Sequence, residues 1–504
     1  MTKNRLLSST LLPVILLGCL CGCSIALPPA TDSPILSPGT SSTAWLLSST
    51  STSPGSLDPS PSPATPTASL SPSNPSSVLL EGASRWEQDG WTVVQIRGTP
   101  YARGFQHGYL LAQEIEETIS VHDFLIQSDT GRDFDFFAQK AEEMFKERID
   151  PEFVTEMEGI AAGAEAAGVP LSFRDILGWN AYIEMVGYWW PTVSDASPTI
   201  GTDHCSALIA TGSFTADGGI VMAHNTWADL MDLSSFHVVL DIWPDRGHRI
   251  VMQSAPGYIW SGTDFFINDA GLVGCETTFY GFQGFDETKL PTFVRAREAM
   301  QYGETIDQWV TLMDRQNNGG YANAWLLGDI KSGEIARFEQ GLLHTKLDRT
   351  RDGYFAGFNA ATDPGIQAEC DGWSAEDPSN FSGARRVRWD QLLQETKGQL
   401  GAQQAMKMLA DHYDTWREAE EPSIRTLCAH AEREFAPYGA LDGKVTTSEL
   451  AREMSFWGRW GRPCGWPFVA EESIAANPAY EWLRGVLTDF PTQPWTRLGG
   501  FGGE

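Results

Sequence analysis

Two apolar runs with polar ends stand out in the middle of the chain, in GTDHCSALIATGSFTADGGIVMAHNTWADL at 201–230. The first opens on a lone cysteine, Cys205, and the second closes on His224-Asn225-Thr226-Trp227. "CSALIATG" and "GGIVMAHNTW" read as two β-strands joined by a turn at Asp217-Gly218-Gly219. In an antiparallel pair the start of one strand lies beside the end of the other, so the pattern can bring the His224–Thr226 cluster back to Cys205. An arbitrary strand cysteine is most often an inert buried hydrophobe. Here the polar neighbours Asp203, His204 and Ser206 point instead to a thiol near a surface or cleft.

A thiol at the first residue of a strand suits one chemistry in particular. If Cys205 attacks the carbonyl of His204, the peptide rearranges to a thioester, and water then cleaves it. Cys205 becomes a new chain start, with a free α-amine of pKa about 8. One residue then supplies both nucleophile and base. The sheet holds that residue while the chain before it is free to move.

Other signals for chemistry are missing. There is no GxSxG elbow and no HExxH. "GALDGKVT" has the wrong spacing for a P-loop, and Val445 stands where Ser or Thr is needed. The nine histidines show no metal-ligand spacing, so neither a metal nor an organic cofactor is expected.

Composition narrows the partners. The chain has 504 residues, with 35 Lys and Arg against 65 Asp and Glu, a net charge of -30. That surface repels nucleic acid and gives no electrostatic grip on anionic lipid. The first residues read as an export signal: Lys3 and Arg5, then an apolar stretch from Leu6 to Leu17. It ends in "LLGCLCGCS", where Cys19 and Cys23 both sit in bacterial lipobox-like settings, and Cys23 is preferred as the lipidated residue. Residues 1–23 are thus expected to be a lipoprotein signal, and 24–77, rich in Ser, Thr and Pro, a disordered tether. The protein is expected outside the cytoplasm, held to the membrane or cell surface by its lipid. Five cysteines follow the signal: Cys205, Cys275, Cys370, Cys428 and Cys464. An odd number leaves at least one thiol free, and Cys428–Cys464 or Cys275–Cys370 are possible pairs.

Residues 78–504 are read as the folded part. "WTVVQIRG" predicts a strand, and "TPYARGFQHGYLLAQEIEETI" a helix in which Gly104 and Gly108 let another backbone pack close. "DPEFVTEMEGIAAGAEAAGVP" predicts a second helix. Strands follow at hairpin spacing from Cys205 to "LVGCETTF". A helix is expected over 291–316, then a hairpin at 321–341 and a mainly helical, Trp-rich C-terminal part. Helices flanking many antiparallel strands indicate an α+β layered domain.

The segments "CSALI" and "AHNTW" resemble the phospholipase B-like, or lamina-ancestor-like, family of N-terminal nucleophile hydrolases. "RGTPYARGFQHGYLLA", "GGYANAWLLGD" and "SGARRVRWDQLL" support the likeness, which covers about residues 90–470. The resemblance implies a four-layer αββα sandwich, cut between His204 and Cys205 into parts 78–204 and 205–504. It implies Cys205 as nucleophile, His224 and Asn225 flanking it, and Asn323 as an oxyanion donor. It also implies a site arginine among Arg385, Arg386 and Arg388, with Arg388 the chosen candidate. In the choloylglycine branch an Arg and an Asp stand where this chain has His224 and Trp227, so that branch's contacts do not carry over. The implied activity is hydrolysis of an acyl amide or ester of a small molecule, such as an N-acyl compound or a phospholipid. An acyltransferase on the same site, a Cys–His hydrolase using His224 without self-cleavage, and a non-catalytic ligand-binding lipoprotein are the alternatives.

Overall fold

β-Branched and aromatic runs build two sheets. The computed structural model describes residues 75–194, 204–231, 235–371, 375–433 and 437–500. The export signal, Cys19, Cys23, most of the tether and Asp203 lie outside the described residues, as does the His204 side chain. Residues Pro75–Leu79, at the expected end of the tether, form a short helix.

The first sheet has nine strands: β1 (Ser84–Gln88), β2 (Trp91–Gly98), β5 (Val238–Pro244), β6 (Ile250–Ser254), β7 (Phe265–Asn268), β8 (Leu272–Thr278), β9 (Asn323–Asp329), β10 (Glu334–Gln340) and β11 (Thr345–Thr350), in that spatial order. Only β2 and β5 run parallel. The second sheet has the order β12 (Gly353–Gly357), β3 (His204–Thr211), β4 (Val221–Asp229), β16 (Asp442–Thr447), β17 (Ser455–Trp460) and β18 (Thr496–Gly499), with β15 (Tyr438–Ala440) also paired to β4. A small separate pair joins β13 (Tyr413–Asp414) to β14 (Ala419–Glu420). The C-terminal part is therefore not mainly helical: β15 to β18 complete the second sheet. Their short, Gly-interrupted runs carry a weak strand signal, and pairing with β4 supplies what local sequence does not.

The sheets face each other through β3, β4, β8 and β9. On the outer side of the nine-stranded sheet, the Pro100–Leu110 helix packs on β2, and the Thr292–Tyr302 and Ile306–Asp314 helices on β7, β9 and β10. On the outer side of the other sheet, the Phe381–Glu395 helix packs on β12 and the Ala402–Leu409 helix on β4 and β16. The layers run helix, sheet, sheet, helix. The single helix expected over 291–316 is two, because Thr305 caps the second through the Gln308 N–H and the chain turns at Gly303.

Gly104 and Gly108 have the structural role their spacing suggested. A Cβ on Gly104 would lie 2.0 Å from the Glu156 carbonyl oxygen, and one on Gly108 would lie 1.9 Å from that of Ile160. Both carbonyls belong to the Pro151–Ala166 helix, whose Gly159 and Gly163 reciprocate. Two helices thus meet backbone to backbone over the end of the sheet. Among the described residues no helix is long and apolar enough to cross a membrane.

Candidate active site

The β3–β4 ladder sets Cys205 opposite Thr226, Ser206 opposite Asn225 and Ala207 opposite His224. Directly opposed residues share a sheet face. Ala207, Ile209 and Met222 lie in the core between the sheets, whereas Leu208, Ala210, Val221 and Ala223 lie under the outer helices. Alternation therefore puts Cys205, Thr226 and His224 on the inner face, and Ser206, Asn225 and Trp227 on the outer. Cys205 is 0% exposed. The polar flanks suggested a thiol near a surface, but in the continuous chain the second sheet is closed over by the first.

Two side chains grip the residue's backbone, and a third holds that of the next residue. The Cys205 N–H donates to Asn359 Oδ1 at 3.2 Å. The Cys205 carbonyl accepts from Arg385 Nη1 at 2.6 Å. The next N–H, of Ser206, donates to Asn225 Oδ1 at 2.9 Å, and Asn225 Nδ2 donates to the Leu427 carbonyl at 2.8 Å. The Trp227 indole N–H also donates to Asn225 Oδ1, at 3.0 Å. Asn225 thus ties β3 to the loop that carries Leu427.

Arg385, not Arg388, is the arginine at this place. Its guanidinium also donates to the carbonyls of Phe381 and Phe358, to Ser206 Oγ and to Asn359 Oδ1, and it stacks 4.1 Å over the Trp227 ring. It is fully buried, and burial pulls its pKa down to about 9, so it stays charged at neutral pH. No carboxylate is among its hydrogen-bond partners in the described residues, and a desolvated cation without a carboxylate is costly. Arg388 lies one helical turn away and pairs with Asp411 at 2.6 Å, and Arg386 pairs with Glu376 at 3.2 Å.

Asn323 makes no hydrogen bond to Cys205, and both polar atoms of its buried amide lack a partner among the described residues. It opens β9 opposite Thr278, with Trp325 opposite Glu276 two residues on. Trp325 packs against Trp309 of the Ile306–Asp314 helix, so this face of β9 looks toward the outer helices. Gly328, on the alternate face, lies against Ile209 of the second sheet. The pleat therefore aims Asn323 away from the thiol. The side-chain amide that reaches residue 205 is Asn359, which sequence reasoning missed. Asn359 follows β12 at φ +63°, a left-handed conformation that asparagine tolerates better than most residues, and its Nδ2 donates to the Thr278 carbonyl at 2.8 Å.

On the inner face, His224 Nε2 lies 2.9 Å from the Glu276 carbonyl, so that nitrogen carries the proton. Burial, and then the nearby Lys444 charge, push its pKa well below the ordinary histidine value. Thr226 Oγ1 accepts from Lys444 Nζ at 2.6 Å, and Lys444 pairs with Asp442 at 2.9 Å. The thiol's own face thus holds a neutral imidazole and a buried cation.

The layers form the four-layer αββα sandwich expected from the sequence, with Cys205 opening an inner strand. The model of the Phospholipase B family matches residues 86–345, just over half of the sequence, and the chain belongs to that family. An uncharacterised protein of Archaeoglobus fulgidus is 25% identical over 259 residues, 49% of this chain and 42% of its own length. A phospholipase B of Crotalus adamanteus is 22% identical over 453 residues, 75% of this chain and 80% of its own. The chain thus spans less than half the length of the archaeal relative. Among solved structures, a Caenorhabditis elegans ortholog of N-acylethanolamine-hydrolyzing acid amidase overlays 49% of this chain and 94% of its own, at 12% identity and a TM-score of 0.33.

Proposed function

We propose that this chain is a self-processing cysteine hydrolase of acyl bonds. The observation that carries the reading is the clamp on Cys205: Asn359 holds its N–H and Arg385 its carbonyl, the two backbone groups that define a residue about to become a chain start. In the first reaction the Cys205 sulfur bonds to the His204 carbonyl carbon, the C–N bond breaks, and the nitrogen leaves with a proton as the α-amine. Water then attacks the thioester, giving a carboxylate at residue 204 and a free thiol at Cys205. Release of the chain end ahead of Cys205 opens the buried thiol to substrate.

In the second reaction the thiol attacks the acyl carbon of an amide or ester. The α-amine takes the thiol proton and passes it to the leaving amine or alcohol. Water, deprotonated by the same amine, releases the acid. Asn359 Oδ1 orients the amine, and the buried Arg385 charge disfavours its ammonium form, which keeps it a base near neutral pH. Lys444, through Thr226, stabilises negative charge on the thiol's side. Burial of the His224 ring disfavours its protonation, which supports the α-amine rather than His224 as the base. Membership of the Phospholipase B family supports a lipid acyl substrate, and the Crotalus relative is itself named a phospholipase B. The leader sequence supports export and anchoring through Cys23.

Intact-mass analysis of purified wild type beside Cys205→Ala tests this. Two fragments from wild type, one beginning at Cys205, with a whole Cys205→Ala chain, is the expected result. Two whole chains after long incubation across pH would overturn it.

A further inference from the structure

Away from Cys205, two cysteines and two histidines converge where no sequence spacing announced a site. His412 precedes β13, Cys428 and His430 lie in the loop after β14, and Cys464 follows β17. One ligand atom of each lies within 4.8 Å of the others. We propose that these four residues bind a structural zinc ion.

The distances fit zinc coordination. A tetrahedral zinc with Zn–S of about 2.3 Å and Zn–N of about 2.0–2.1 Å separates sulfur from nitrogen by about 3.6 Å. His430 Nε2 lies 3.7 Å from Cys428 Sγ and 3.6 Å from Cys464 Sγ. Neither cysteine is in a disulfide: all five described cysteines are free. The two cysteines that sequence reasoning offered as a pair do meet, but around a common histidine.

The surroundings fit as well. His430 Nδ1 lies 3.2 Å from Glu432 Oε1, and Arg462 pairs with the same oxygen at 2.9 Å. A carboxylate on the far nitrogen fixes the tautomer that turns Nε2 toward a metal. His412 Nε2 is buried and has no hydrogen-bond partner among the described residues. The Trp466 N–H donates to Cys464 Sγ at 3.4 Å, as a thiolate ligand requires, and the Trp466 ring lies against both histidines. Two thiolates and two imidazoles suit zinc, and four protein ligands leave no open position, so the role is structural.

The ion would brace the loop that braces the site. Cys428 follows Leu427, whose carbonyl holds Asn225, which in turn holds the Ser206 N–H beside Cys205. The Cys428 N–H donates to the Asp411 carbonyl, tying the loop to the residue before His412.

Metal analysis of the full chain, purified without chelator, tests the proposal, with thiol counts before and after chelation. The expected result is one zinc per chain, lost in Cys464→Ser and His412→Ala, with two thiols that react only after chelation. Cobalt exchanged into the site should show the strong visible bands of tetrahedral thiolate coordination. A Cys428–Cys464 disulfide in peptide mapping would overturn it. So would a chain that holds no zinc and gives no cobalt bands, or zinc retained in full by both variants. None of these readouts depends on whether the chain cleaves itself.

Discussion

Asn359 is where the clamp on Cys205 can be tested most sharply. Its carboxamide makes three buried hydrogen bonds: from the Cys205 N–H, from Arg385 Nη2 at 2.7 Å, and to the Thr278 carbonyl. Losing the charge-assisted Arg385 bond costs about 1.5–3 kcal/mol, and each neutral one about 0.5–1.5 kcal/mol. Alanine adds about 1 kcal/mol or more, because φ at this residue is +63°. Asn359→Ala should therefore lower stability by about 3.5–7 kcal/mol in urea unfolding. Asn359→Gly removes the same bonds without the strain, and should recover about 1 kcal/mol of that loss. The glycine variant, folded and followed by mass spectrometry, should cleave itself about ten- to a hundredfold more slowly, because misplacing the Cys205 amide raises the barrier by about 1.4–3 kcal/mol. An Asn359→Gly chain that cleaves at the wild-type rate would refute the argument that this amide positions residue 205.

Arg385→Lys should stop self-cleavage, since one ammonium cannot replace five guanidinium hydrogen bonds. Arg388→Ala should leave cleavage intact and cost about 1 kcal/mol in unfolding free energy, the loss of its Asp411 pair. Gly163→Ala should destabilise the fold by about 3 kcal/mol, because its Cβ would lie 2.1 Å from the Phe105 carbonyl oxygen; an unchanged melting temperature would contradict the close helix contact. His107 is buried, accepts the Gly257 N–H at 3.0 Å, and burial lowers its pKa from 6.5 to about 4. The unfolded chain takes up this proton first, so its contribution is whole above pH 6.5 and is lost as pH falls toward 4. The span is about 3 kcal/mol. His107→Gln should flatten the acid side of the stability profile by that order, read from urea midpoints at several pH values.

The local pattern alone announced the strand pair that carries Cys205 and His224–Trp227, because period, turn residues and apolar content all act within a few residues. Gly104 and Gly108 were equally legible: small residues one turn apart on a helix mean a close neighbour. Arg385 was in reach, since it shares an i, i+4 stripe with Phe381 and Trp389 and so turns inward with them, while Arg388 falls off that stripe. The tertiary structure alone decided which amide meets the cysteine. Asn323 and Asn359 both stand at strand ends, and only the pleat of β9 and the approach of β12 to β3 send one to the helices and the other to Cys205. The same holds for His412, Cys428, His430 and Cys464. Long, irregular connections separate His412, the Cys428–His430 loop and Cys464, so no period links them, and their convergence depends on how the loops fold back.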